Sequence, residues 1–177
     1  MAQYSVSTDH AESTSASVSP LGMSALALTT FILGASNASL FKGAAIIGLV
    51  FFFGGLIQLL VGLRSSHTAF ASYGGFWMAY GASYLMPVAS GTQLSYFFLA
   101  WTIFAGIVLL STWHGNLVHM GIFLFFFLTF LGLTIAAFGG GSIFTTIAGW
   151  LGIITAILAW YTSLASLGSP FHLPYTS

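Results

Sequence analysis

A bundle of six membrane-spanning helices is the fold this sequence predicts, and three observations carry that reading. First, the chain is 58% hydrophobic and only 2% charged, where an ordinary soluble domain is about 25% charged. Second, the formal charges are Asp9, Glu12, Lys42 and Arg64, so that after Arg64 only histidine can carry one. Third, apolar runs of bilayer length follow one another, separated by short stretches of helix-ending residues. A bilayer core needs roughly 20 apolar residues per helix, and a water-facing surface with so little charge would aggregate. The runs are continuous rather than alternating, which disfavours a β-barrel.

Taken in order, residues 1–19, MAQYSVSTDHAESTSASVS, are polar and lack the basic start and apolar centre of a signal peptide, so they read as a flexible tail. Residues 20–168 form the six-helix domain, and 169–177 a short C-terminal tail. The first span, 21–40, ends in the stretch Asn37 to Lys42. The second, 43–63, is the clearest: GAAIIGLVFFFGGLIQLLVGL between Lys42 and Arg64. The third, 69–88, stops at Pro87, and the fourth, 93–112, stops at Trp113 to Asn116. The fifth, 117–138, runs into GGGS at 139–142, and the sixth covers 142–167. Six spans put both termini on one side, and the short connections make neighbours antiparallel. Lys42 in the first loop and Arg64 in the second point opposite ways under the positive-inside rule. His114 and His119 share the Arg64 side and tip the expectation toward cytoplasmic termini, in a protein of the plasma membrane.

Small residues mark the packing faces. Gly48, Gly55 and Gly62 form a stripe on the second span; Gly149, Gly152, Ala156 and Ala159 form another on the sixth. Such residues let membrane helices approach closely enough to gain van der Waals contact.

Composition also excludes function classes. Without cysteine there is no disulfide, thiolate chemistry or Cys-based zinc site. Zero net charge leaves no electrostatic footprint for nucleic acid. No nucleophile–base pair, paired carboxylates or phosphate-binding loop is present, so no enzyme, catalytic residue, metal or cofactor is expected. No span carries Asp or Glu, which removes the usual proton relay of a coupled transporter.

Neutral polar groups at helical spacing remain. Leu26, Thr30, Leu33 and Asn37 share one face of the first span, beside Thr29. They either face a solute path or satisfy themselves locally, Thr30 by bonding its own helix and Asn37 by capping it. Tyr73, Trp77, Tyr80 and Tyr84 run down one face of the third span, where phenols line a narrow path or pack with partnered hydroxyls. Gln58 is helix–helix glue or a path donor, and His114 and His119 are solvated loop residues near a pore mouth. Such a path suits a small neutral or weakly acidic solute. Two other readings stand beside it: a pore for urea, ammonia or water, and a structural subunit without transport.

The stretches PLGMSALALTTFILGASNASLF, FFFGGLIQLLVGL, TAFASYGGFWMAYGASYLMP and IAGWLGIITAILAWYTSL resemble, in order and spacing from Pro20 to about Tyr161, the acetate uptake transporter family, which includes the succinate–acetate permeases. The PLG start, the GG-x-x-Q run, the SYG-x-FW signature and the late GW are jointly specific. The resemblance implies a six-helix subunit in a homo-hexameric ring, each subunit with its own pore for acetate, similar monocarboxylates or succinate. It places an apolar and aromatic constriction at Leu26, Tyr73 and Leu128, and path positions at Thr29, Thr30, Asn37, Gln58 and Thr129; Trp77 and Tyr80 join them from the tyrosine face. Phe125, Leu128 and Thr129 would form the opposing wall.

This sequence also departs from the family. Leu26 stands where relatives commonly have phenylalanine, the loop after the second span is a short RSSH, and Asn116 and His119 replace basic residues. An acidic position late in the sixth span is Ser166. Fewer cations suit an undissociated acid or neutral solute better than an anion.

Overall fold

The computed structural model describes residues 19–86, 91–113 and 115–167. Apart from Ser19 the expected tails lie outside this range, as do Pro87 and His114. Every regular element among the described residues is helical: α1 Pro20–Asn37, α2 Ala44–Ser65, α3 Thr68–Leu85, α4 Gly91–Ser111, α5 Leu117–Ile135 continued by a π-helical turn Ala136–Gly140, and α6 Ser142–Ser166. The boundaries follow local chemistry. Ser19 caps α1, its hydroxyl accepting from Gly22 N at 3.4 Å with Pro20 in the first turn. Asn116 caps α5 by accepting from Val118 N at 2.8 Å. The fifth span ends in the GGGS run as expected, but its last turn widens into a π turn. Gly139 ends it at φ 99, a conformation glycine adopts without penalty. The Ser95 hydroxyl, from α4, donates to Ala137 O at 2.7 Å and so satisfies a carbonyl of the widened turn.

Four helices are long and apolar enough to cross a membrane: α2, α4, α5 with its π turn, and α6. The chain is a membrane protein. The two that fall short, α1 and α3, carry the polar and tyrosine faces. Backbone contacts order the helices as α3–α2–α1–α6–α5–α4. Rings close this arc: Phe76 of α3 meets Phe97 at 5.4 Å and Trp101 at 5.1 Å, both on α4.

The small-residue stripes lie where helices approach most closely. A Cβ on Gly55 would sit 2.7 Å from Gly74 O, and one on Gly48 would sit 3.0 Å from Gly81 O. Thus α2 and α3 form an antiparallel zipper with glycines every seventh residue. Gly34 of α1 meets Gly149 and Ile153 of α6 in the same way. These contacts leave one face each of α1 and α3 turned to the bundle centre.

A polar clamp holds the termini side of the bundle. Ser163 donates to Pro20 O at 2.9 Å, and since that uses its one proton, the 2.7 Å contact with Ser24 must be donated by Ser24. Ser163→Ala should therefore lower stability by about 1 kcal/mol, read as a drop of a few degrees in the melting temperature of the detergent-solubilised protein. An unchanged melting temperature would remove the clamp from the account.

Candidate functional site

Two cavities open toward opposite sides of the bundle. The one on the termini side, about 480 Å³, is lined among others by Met23, Leu26, His67, Tyr73, Asn116 and His119. The opposite one, about 310 Å³, is lined by Tyr80, Ser83, Tyr84 and Leu94. Both lie along α3, which reaches the first through Tyr73 and the second through Tyr80. Seven residues of helix separate them, or roughly 10 Å at the α-helical rise.

Aromatic rings fill that interval. Tyr73 meets Phe126 at 4.8 Å and Phe104 at 5.3 Å. Beyond it, Phe76 and Trp77 pack at 4.8 Å, Phe76 and Phe130 at 4.8 Å, and Phe51 and Trp77 at 5.0 Å. Leu26, Phe51, Phe76, Trp77, Phe126 and Phe130 are fully buried. The segment is filled by buried, mostly aromatic side chains of α1, α2, α3 and α5.

Unpartnered polar atoms lie on the helices that surround it, and Asn37 stands beyond it at the far end of α1. Among the described residues, five buried side-chain polar atoms lack a hydrogen-bond partner: Thr30 Oγ1, Asn37 Nδ2, Gln58 Oε1, Tyr73 Oη and Trp77 Nε1. All five belong to residues that the sequence singles out for a path. Buried polar groups in folded proteins are nearly always paired, and inside a bilayer an unpaired one is still less favourable. Groups of this kind, from helix faces turned to the bundle centre, are what a passing polar solute would meet.

The remaining candidates divide. Thr29 is fully buried and donates to the carbonyls of Ala25 and Leu26, both at 3.0 Å, while accepting from Gln58 Nε2 at 3.2 Å. It ties α1 to α2. Thr129 donates to Phe125 O at 2.8 Å, and its methyl group lies against Gly152 of α6. Tyr80 Oη lies 3.3 Å from Tyr84 Oη in the second cavity.

Leu26 and Tyr73 come together in the lining of the first cavity, but Leu128 does not join them. It is half-buried, and the α5 ring against Tyr73 is Phe126. Two residues apart on an α-helix are about 200° apart around its axis, so Leu128 points away from Tyr73. Phe125 is likewise off the ring-bearing face, which carries Phe123, Phe126 and Phe130. The sequence holds a signal for that face in the 3 and 4 spacing of those three residues. It is hidden in GIFLFFFLTF because Phe125 and Phe127 fill the intervening positions. Nothing in the sequence singles out Phe76 or Phe51, because each has an aromatic neighbour, Trp77 or Phe52, that points elsewhere around its helix and masks the orientation.

Comparison with known proteins places this arrangement. A sequence model of the GPR1/FUN34/yaaH family matches residues 3–175. The chain is 33% identical to Ammonia transport outward protein 2 of Saccharomyces cerevisiae, with 90% of this chain and 67% of that protein covered. It is 32% identical to Acetate permease A of Emericella nidulans, covering 86% of this chain and 61% of that one. It is 28% identical to the succinate-acetate/proton symporter SatP of Escherichia coli, covering 86% and 88%. The fold matches the structure of the bacterial acetate channel SatP with a TM-score of 0.80 at 28% identity, over 88% of this chain and 96% of that chain.

Proposed function

This chain belongs to the GPR1/FUN34/yaaH family, and from that membership we propose that it is a membrane channel or transporter for acetate and similar small monocarboxylates. The observation that carries the reading is the set of unpartnered polar atoms, Thr30 Oγ1, Gln58 Oε1, Tyr73 Oη and Trp77 Nε1, on the helices around the ring-filled segment between two opposite cavities, with Asn37 Nδ2 at the far end of α1. Leu26, Tyr73 and, in place of Leu128, Phe126 form the constriction. Thr30, Gln58 and Trp77 replace part of the water that the solute loses there, and Tyr80 and Asn37 do so farther along, toward the far mouth. Thr29 and Thr129 position their helices rather than touch solute. The protein performs no catalysis. Its functional domain is residues 20–168, flanked by the two tails, and its termini face the cytoplasm from the plasma membrane. Subunits assemble as a hexameric ring, for which apolar side chains such as Phe53, Leu60, Ile103 and Leu110 on the outer surface provide contact area.

A bare carboxylate in a dry segment of this length is strongly disfavoured, whereas the neutral acid loses only dipolar solvation. Among the described residues on the termini side, the cations near the mouth are Arg64 and whatever charge His67 and His119 carry, so little offsets that penalty. Uptake of radiolabelled acetate into proteoliposomes should therefore rise as pH falls. At fixed total acetate it should change by about tenfold per pH unit above the acid's own pKa, roughly 4 to 5 for a simple carboxyl. Uptake that is flat from pH 5 to pH 7, with the driving force held constant, would contradict this.

A second reading is favoured by the relatives named as ammonia transport outward proteins: the same path passes a small neutral solute such as ammonia or urea. Competition decides it, because urea in excess would suppress acetate uptake only if both use one path.

A further inference from the structure

Resting on that reading of the path, the geometry points to Gln58 as its specificity-determining residue. We propose that its side-chain carbonyl accepts a hydrogen bond from the permeant, so that the narrow segment favours a solute bearing an N–H or O–H. For a carboxylic acid that is the protonated form.

Proton counting fixes the orientation of the amide. Thr29 has one hydroxyl proton, and the carbonyls of Ala25 and Leu26, each 3.0 Å away, take it. Thr29 Oγ1 can then face Gln58 only as an acceptor. The Gln58 atom 3.2 Å from it is therefore the amide nitrogen, whose second proton points toward Gly54 O at 3.5 Å. The carbonyl oxygen Oε1 is left on the other branch, fully buried and without a partner.

Its level in the bundle follows from the packing. Gln58 bonds to Thr29, one turn beyond Leu26, while its neighbour Leu59 packs against Gly74, next to Tyr73. Gln58 thus lies at the height of the Leu26–Tyr73 constriction. The unpartnered atoms of the α3 face there are the Tyr73 hydroxyl and the Trp77 N–H. Two donors and one acceptor complement a neutral carboxylic acid, whose carbonyl accepts while its hydroxyl donates to Gln58. A carboxylate has no proton for Gln58 and presents like charge to its oxygen. No Asp, Glu, Lys, Arg or His of α1 stands at this height, nor any of α2. Tyr73 is the titratable neighbour on α3, and His67 and His119 line the cavity outside.

Acetic acid, acetamide and acetone share one skeleton and differ in the group beside the carbonyl, of which only the methyl of acetone cannot donate. Wild-type protein in liposomes would take up labelled acetate at pH 5 in the presence of either competitor. Acetamide should inhibit at a concentration at least tenfold lower than acetone. In Gln58→Met that ratio should fall toward one. Because both competitors act on the same preparation, the ratio does not depend on how much protein folded. Gln58→Glu should keep the ratio at pH 5, since a buried neutral carboxyl retains both the carbonyl acceptor and a hydroxyl for Thr29. Equal inhibition by the two competitors in wild type, or a ratio unchanged in Gln58→Met, would overturn the assignment. If wild type takes up no acetate at all, the carboxylate reading fails by itself, and labelled acetamide decides the role of Gln58. Acetamide uptake above empty liposomes, lowered in Gln58→Met and kept in Gln58→Glu at pH 5, would support it. Absent acetamide uptake, or uptake unaffected by Gln58→Met, would overturn it.

Discussion

Tyr73→Ala is expected to convert a pore sized for two-carbon acids into one that passes a four-carbon diacid, raising the succinate-to-acetate uptake ratio at pH 5 by about tenfold or more. The Tyr73 ring is 1% exposed and packs against Phe104 and Phe126. Neighbouring rings held by their own contacts cannot collapse fully into the space it leaves. Tyr73→Phe separates size from polarity, because it keeps the ring and removes only the unpartnered hydroxyl. That variant should hold the wild-type ratio while acetate uptake falls severalfold. A ratio unmoved by the alanine variant would show that this ring does not set the width of the path.

The second large effect concerns adjacent glycines. On Gly74 a Cβ would collide with the Leu59 backbone nitrogen and lie 2.7 Å from both Gly55 O and Leu59 Cα, all backbone atoms. On Gly75 it would meet nothing within 4 Å. Gly74→Ala should therefore push α3 off α2 and destabilise the bundle by about 1–3 kcal/mol. Gly75→Ala should be neutral or slightly stabilising, since alanine is the better helix former. Thermal unfolding of both variants in detergent checks this. Equal melting temperatures would mean that the α2–α3 zipper yields more readily than its geometry indicates.

The sequence carried the bundle well because membrane helices announce themselves by length and composition. Each of the six expected spans matches a helix to within a few residues at either end. The described helices α1 and α3 are the two least suited to cross a membrane by length and composition. Their apolar runs and the helix-ending residues around them still marked them as spans, and the helical spacing of their polar and tyrosine residues marked which face matters. The glycine stripes were legible for the same reason. What the sequence hid was direction. In α5 five of six residues from Phe125 to Phe130 are apolar, so periodicity could not tell Leu128 from Phe126 as the side chain facing Tyr73. The family pattern chose the former, and helix rotation in the bundle puts the latter against the tyrosine. Nor could it tell Thr29 from Thr30: one is tied to Gln58 and its own helix, and the other is left unpartnered one residue further on. The GGGS run marked the break, but nothing in the sequence marks the π turn just before it, where the Ser95 hydroxyl from α4 bonds to the carbonyl of Ala137.

The central claim is that one solute path runs through both cavities, and the absence of cysteine from the chain makes that directly measurable. Single cysteines would be placed at Val108 in the first cavity, at Ser83 in the second, and at the outward-facing Leu28. Each variant in proteoliposomes would then be treated with a membrane-impermeant thiol reagent added on either side. The account predicts that labelling Val108→Cys and Ser83→Cys, from opposite sides, each abolishes acetate uptake, that acetate slows both reactions, and that Leu28→Cys keeps full uptake. Full uptake after complete labelling of both cavity positions would contradict it, because the solute would then cross elsewhere.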